Sequence, residues 1–562
     1  MVQLSLVALL GLINIALSAS PPPPPPPLPP SSQDWSGWGG NTNNNRWASS
    51  NTAISSNTIS SLAPHCNLSF PIGVSATPTV SGNTVFFPTW NGALVALDFH
   101  TCTTLWTINV TALIHAFAPV SAFQAQNVRP ISRTSPQVDP HSGTVYFGTL
   151  THALLVAVSK STGATLAILQ VNPHPLAIVT MSPTLFDNRL IVGSSSVEEN
   201  VTLLPGYRCC SFAGNILAAT FSPSTRKFKT NWNIPTIPPA RQAQGWAGAA
   251  VWGSQPSVDP RRRLVFVGTG NSYSASNVTV QCQTTRTPPE IPYTLNNDTC
   301  LPADVWQDSI LAIDLDHGNV KWVQQRPGVD IFTAACGYPG FGPQDPVLCP
   351  GVPGPDYDFG MAPTFVPSST SDRKNDRVVV GRKSGDLYSL SAADGTVAWA
   401  VNVGPGGITG GLSWGIAVDE SRVYYTVING NYKPWTLRPG GQTSERSAYG
   451  AVALATGEIL WQTPVPMSGG VSLGPPTVVG DLVLVARTGQ DPGGTAGYDA
   501  TQGGLVVLRK ATGAVVMDVG LSTNFHGGVA VQGKYVLFGT GYSGFGAQAT
   551  VPGVFHVMKV GP

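Results

Sequence analysis

The chain has 562 residues, 30 Lys and Arg against 29 Asp and Glu, a formal net charge of +1 and only 10% charged residues. Cations this sparse and scattered give no electrostatic footprint for nucleic acid. With 61 Gly, 50 Pro and hardly any stretch that reads as a long amphipathic helix, the composition favours an all-β protein rich in turns, and the length suits one large repeat architecture as well as three ordinary domains.

The chain begins with "MVQLSLVALLGLINIALSAS", an apolar run ending in small residues, so residues 1–19 are expected to be a secretory signal peptide cleaved near Ala19. It lacks a basic leader, which keeps an uncleaved anchor as the alternative. Residues 20–34 contain "PPPPPPPLPP", which forms neither helix nor sheet because proline has a fixed φ and no N–H; this is a stiff polyproline II spacer. No later segment is long and apolar enough to span a membrane.

From residue 35 to 562 a repeat takes over. "GALVALDFHTCTTLWTINV" from Gly92, "DSILAIDLDHGNVKWVQQ" from Asp308, "GDLYSLSAADGTVAWAVNV" from Gly385 and "GAVALATGEILWQTPV" from Gly450 each read as a strand, a small-residue turn and a second strand carrying Trp. Weaker copies start at Ala153, Gly214 and Gly503. Ahead of each copy lies a further strand pair, such as "PTVSGNTVFFPT" or "PSVDPRRRLVFVGT". Four short strands per unit make a propeller blade. Seven such units and the start of an eighth predict an eight-bladed β-propeller, its ring closed by a strand from the segment after Trp35. Trp106, Trp322, Trp399 and Trp461 recur at one blade position, where packing between blades is the expected role.

Five Asn-x-Ser/Thr sequons, at Asn67, Asn109, Asn200, Asn277 and Asn297, are about what this composition yields by chance. The even count of eight cysteines after a signal peptide points more firmly to an oxidising compartment, and hence to a secreted, extracellular or cell-wall protein. Proximity pairs Cys282 with Cys300, Cys336 with Cys349 and Cys66 with Cys102. Cys209 and Cys210 are then left with each other, a strained arrangement that is rare without a reason.

The repeated "A-x-D-x-x-T-G-x-x-x-W", together with "WSGWGGNTNNNRWA", "GAAVWGSQPSVDP", "VGTGNSYS", "DFGMAP" and "LSWGIAVD", resembles the pyrroloquinoline quinone (PQQ) dehydrogenases, in particular their polyvinyl alcohol dehydrogenase-like branch. The resemblance implies a quinone at the centre of the ring, between a tryptophan floor and a vicinal disulfide, with Ca²⁺ beside it. It places the calcium ligands on Glu198, with Glu199 as the alternative, on Asn271 and on Asp358; oxygen ligands suit a hard cation. Asp358 is also the implied catalytic base. Lanthanide-dependent relatives carry an acid two places later, where this chain has Gly360, which favours Ca²⁺. Lys383 is implied against the quinone oxygens, where a cation stabilises developing negative charge, and Arg133, Thr180 and Ser194 at the cofactor carboxylates. Trp252 is the implied floor, Trp414 a second central candidate, and Cys209 with Cys210 the lid.

These residues together imply a secreted PQQ- and calcium-dependent dehydrogenase that oxidises a small or polymeric alcohol. The chain has no CxxCH for haem c, so electrons would pass to a separate acceptor. The alternative is a non-catalytic extracellular propeller serving as a binding or cell-wall scaffold, because this fold hosts many functions.

Overall fold

The computed structural model describes residues 34–204, 206–285, 299–326, 328–337, 349, 353–368, 373–490, 501–542 and 551–561. The expected signal, nearly all of the proline spacer and Asn297 lie outside the described residues.

The chain forms an eight-bladed β-propeller with antiparallel blades. The blades occupy residues 79–109, 137–170, 184–235, 257–325, 364–402, 417–464, 477–520 and 530–559, numbered 1 to 8 below. In each, the first and shortest of the blade's own strands lies at the inner edge, wholly buried in Thr79–Ser81 of blade 1 and partly buried in Gln137–Asp139 of blade 2. In blades 1 to 7 the last strand is outermost and more exposed, as in Val397–Asn402 of blade 5, whose burial alternates from Ala398 onward. Burial on both faces selects the Val- and Leu-rich runs of the middle strands, and one wet face selects the alternation outside.

The ring is closed by the expected region. Ala63–Phe70 pairs antiparallel with Gly553–Lys559 and supplies the outer strand of blade 8. The segment before it has a second role that the sequence did not suggest. Residues 35–48 cross the axis of the ring and bond the inner strands in turn. Val80, Val258, Phe365, Val418 and Val478 donate their N–H groups to the carbonyls of Trp35, Thr42, Asn43, Asn45 and Arg46. Trp47–Ala48 adds a parallel fifth strand inside blade 7.

The recurring tryptophans dock between blades as expected. Indole N–H groups of Trp106, Trp322, Trp399 and Trp461 donate to the carbonyls of Lys160, Ala392, Leu454 and Lys510 in the following blade. Trp232 does the same to Leu315, a fifth member within one of the weaker copies. The turn glycine of the next blade lies against each ring. At Gly395, φ is +76° and a Cβ would stand 2.7 Å from Trp322, so the T-G of the repeat is both a left-handed turn and a flat seat for indole.

All four expected disulfides form: Cys66–Cys102, Cys282–Cys300, Cys336–Cys349 and Cys209–Cys210. Among the described residues no helix is long and apolar enough to cross a membrane.

Candidate active site

Antiparallel order brings the residues just before a blade's first strand and just after its second to the same end of the ring. Thr180, Trp252, Asp358 and Trp414 precede first strands, whereas Glu199, Asn271 and Lys383 follow second strands. They converge on one central cavity, whose wall also includes Ser195, Ser196, Asp356, Tyr273 and the apolar Ile178, Ile408, Ile428 and Leu473. Two-stranded ribbons stiffen this end. Ala177–Ile178 pairs with Ser195–Ser196, and Ala247–Gly248 with Ser272–Ser274.

Asp358 is the best-held group. The Asn271 N–H donates to its Oδ1 at 2.7 Å, the Trp252 Nε1–H to its Oδ2 at 2.8 Å, and Lys383 Nζ lies 3.1 Å from Oδ2. Lys383 Nζ also bonds both oxygens of Asp356, at 2.9 and 3.0 Å. Burial works against the Lys383 charge, but Asp356 and Asp358 outweigh it and raise its pKa. Asp356 itself is pushed well above the carboxylate range, by burial first, with Lys383 pulling it back and Asp358 adding repulsion. Below them Asp330 accepts the N–H groups of Asp356 and Tyr357 at 3.0 and 2.7 Å, fixing the loop that presents both acids.

Trp252 and Trp414 meet edge to face with ring centroids 5.2 Å apart, and Lys383 Nζ is 5.4 Å from the Trp252 centroid. The Trp252 carbonyl accepts the Thr180 hydroxyl at 2.8 Å, and the Trp414 carbonyl accepts the Trp38 indole N–H at 3.0 Å, so the axial segment braces the second ring. Gly360 abuts Trp252: a Cβ there would stand 2.7 Å from the ring, which leaves no room for an acidic side chain in the present packing.

Four expectations need correction. Glu198 is fully buried but absent from the cavity wall, because Tyr207, Ser211 and Phe212 donate to its carboxylate and hold it behind the wall. The alternative, Glu199, faces the cavity. Its carboxyl accepts no hydrogen bond among the described residues, and its pKa rises to about 8 through burial, opposed by Lys383 and reinforced by Asp358 and Asp330. Ser194 is likewise behind the wall, its hydroxyl engaged by Asn172 and Asn215, and its neighbours Ser195 and Ser196 line the cavity instead. Cys209 and Cys210 are bonded to each other but do not line the cavity; Cys210 packs against the cluster holding Trp252 and Tyr273. Arg133 stands one layer back, its guanidinium carbon 5.2 Å from the Trp414 ring centroid. Asp356, which lines the same cavity, was not among the residues expected at the site. The only local signal for it was a second acid two residues before Asp358; a left-handed φ of +57° at Asp356 and the Asp330 bonds to this loop bring both acids to Lys383.

Asn271 bears on cation chemistry. Its Nδ2 donates to the carbonyls of Ser272 and Phe332, at 3.0 and 2.9 Å, which leaves Oδ1 without a donor among the described residues. Amide oxygen, Glu199 and Asp358 form an all-oxygen donor set that fits a hard divalent ion. Among the described residues no three His, Cys, Asp or Glu side chains are already gathered as a cation site, so the amide oxygen is needed to complete the set.

The chain is similar to several known proteins in sequence and in fold. The chain is 29% identical over 407 residues to the polyvinylalcohol dehydrogenase of Sphingopyxis sp. (strain 113P3), covering 70% of this chain and 53% of that protein. It is 26% identical over 404 residues to the polyvinylalcohol dehydrogenase of Pseudomonas sp., covering 71% and 54%. The quinohemoprotein alcohol dehydrogenase of Comamonas testosteroni superposes with a TM-score of 0.64 at 15% identity, over 94% of this chain and 80% of that one. In sequence and fold the chain resembles the PQQ-dependent dehydrogenase propellers. Within it, residues 383–506 match the family description outer membrane protein assembly factor BamB. The chain spans about half the length of the polyvinylalcohol dehydrogenases it matches.

Proposed function

We propose that this propeller is a secreted or cell-wall quinoprotein dehydrogenase. It oxidises an alcohol or a polyol or polymer hydroxyl with PQQ and Ca²⁺, and a separate acceptor takes the electrons. The observation that carries this reading is the convergence of Asp358, Lys383, Asn271, Glu199 and Trp252 on one cavity, with Asn271 Oδ1 and the Glu199 carboxyl accepting no hydrogen bond among the described residues. A scaffold has no need of that set, and burying it costs stability. The polyvinylalcohol dehydrogenase relatives support a polymeric hydroxyl as one substrate class.

PQQ with its cation supplies the two-electron acceptor when bound. The chain's own residues supply the rest. Asp358 takes the substrate hydroxyl proton, and Oδ1, with one donor against two on Oδ2, keeps the more available lone pair. When Asp358 becomes neutral, Lys383 stays paired with Asp356 through both carboxylate oxygens and remains fixed over Trp252. Trp252 offers a flat face for a planar ring, Thr180 and Asn271 hold Trp252 and Asp358 in place, and Ile178, Ile408, Ile428 and Leu473 restrict water.

The test is a PQQ titration of the purified protein with and without Ca²⁺, followed by absorbance and by dye reduction with a panel of alcohols. Calcium-dependent binding is expected, reduced at least tenfold in Asn271→Ala, with dye reduction abolished in Asp358→Ala. A folded protein that binds no PQQ would transfer the argument to the scaffold reading.

A further inference from the structure

Glu198 is a buried carboxylate that the chemistry above leaves without a task. It opens the short helix Glu198–Val201, beside Glu199. A single nearby segment satisfies it. Tyr207 Oη donates to Oε1 at 2.6 Å, the Ser211 N–H to Oε1 at 2.9 Å and the Phe212 N–H to Oε2 at 2.8 Å. His174 extends the chain of bonds. Its Nδ1 accepts the Leu176 N–H at 3.2 Å, which leaves Nε2 to donate to Ser211 Oγ at 3.0 Å, and that hydroxyl faces Glu198 at 3.3 Å.

Cys209 and Cys210, bonded to each other, sit between Tyr207 and Ser211. A bond between neighbours removes much of their backbone freedom, so the N–H groups of Ser211 and Phe212 leave the pair in a restricted direction. Both aim at Glu198. An ionised carboxylate takes such bonds about twice as strongly as a neutral acceptor, and glutamine replaces one acceptor oxygen with a donor.

We infer that Glu198 is a positioning residue that couples the Cys209–Cys210 segment to the helix carrying Glu199, so that the vicinal disulfide sets where Glu199 stands in the cavity. The coupling itself needs no cofactor; only the consequence for cation binding rests on the function proposed above.

Amide hydrogen exchange of the full chain tests it, with Glu198→Gln, with the double variant Cys209→Ala/Cys210→Ala and with all three changes combined. In Glu198→Gln, exchange at Ser211 and Phe212 is expected to quicken at least tenfold. The disulfide variant should quicken exchange at the Val201 amide, which bonds Val197 O at 3.1 Å and contains no part of the disulfide. With Ca²⁺ alone as probe, read by tryptophan fluorescence, each change should weaken affinity about tenfold, and the combination should weaken it little further. Wild-type exchange at residues 198–202 in the disulfide variant overturns the inference, as does a combination whose effects simply multiply. If the wild-type protein takes up no Ca²⁺, the proposed function fails while the exchange data still decide the coupling. If Glu198→Gln does not fold, the disulfide variant, which removes no buried charge, decides alone.

Discussion

At the scale of single residues, contact distances at the cavity decide what each position tolerates. Gly360 has no side chain because the Trp252 ring occupies the place where one would begin. Gly360→Ala should therefore displace the indole and lengthen its bond to Asp358, now 2.8 Å. Overpacking of this kind costs about 1–3 kcal/mol. A larger loss is expected in turnover, at least tenfold in dye reduction, because Asp358 loses one of its orienting donors. Wild-type turnover together with an unchanged near-UV tryptophan signal would sink this account. Glu198 and Glu199 illustrate a limit of sequence reading at the same scale. Neighbours on a helical turn point about 100° apart, so identical side chains at adjacent positions take opposite duties. Nothing in "VEEN" says which one faces the cavity.

At the scale of elements, the strand pairing that closes the ring carries a titratable group. His556, on the strand Gly553–Lys559, stacks on Phe538 with centroids 4.8 Å apart and shares a 3.0 Å hydrogen bond with Asn67 Oδ1 across the closing pair. Burial lowers its pKa to about 4 from 6.5. Between those values the unfolded chain binds the proton and the folded ring does not. Stability is therefore full above the unfolded value and falls as the pH drops through the folded one. The contribution is at most about 3 kcal/mol, and less because the ring keeps some solvent contact. Melting curves between pH 4 and 7 should show an acid limb that is shallower in His556→Gln; an identical limb would exclude the histidine as its source. The repeat made blades 1 to 7 legible because each carries its own four strands. Blade 8 was harder because its outer strand comes from residues 63–70, nearly 500 residues before its partner.

At the scale of the whole molecule, Arg46 ties the ring together through its axis. It is fully buried and donates to Pro476 O at 2.8 Å, Thr477 Oγ1 at 2.8 Å, Val529 O at 3.1 Å, Thr77 Oγ1 at 3.3 Å and the Trp38 carbonyl. These partners come from the inner ends of blades 1, 7 and 8 and from the axial segment itself. All are neutral, and burial lowers the pKa to about 9, so the guanidinium stays charged at neutral pH. Arg46→Leu would leave several buried acceptors unpaired, at about 1–3 kcal/mol each. The expected outcome is a melting temperature lower by several degrees, with PQQ binding weakened because Trp38 no longer braces Trp414. An unchanged melting temperature would show that the axial segment does not hold the ring.

Much was decided locally and was therefore readable in the chain itself. Strand alternation, turn glycines and docking tryptophans are short-range patterns, and they specified the eight-bladed ring. Asp358, Lys383, Asn271, Thr180, Trp252 and Trp414 were instead implied by the resemblance of their short motifs to a known family, and the structure brings them to one cavity. Only the tertiary structure decided which of two adjacent glutamates enters the cavity, that Ser194 and the vicinal disulfide stand behind its wall, and that "WSGWGGNTNNNRWA" seals the axis. Those outcomes depend on donors supplied by segments far apart in sequence, and competition among them for one carboxylate or one carbonyl has no signature in local periodicity.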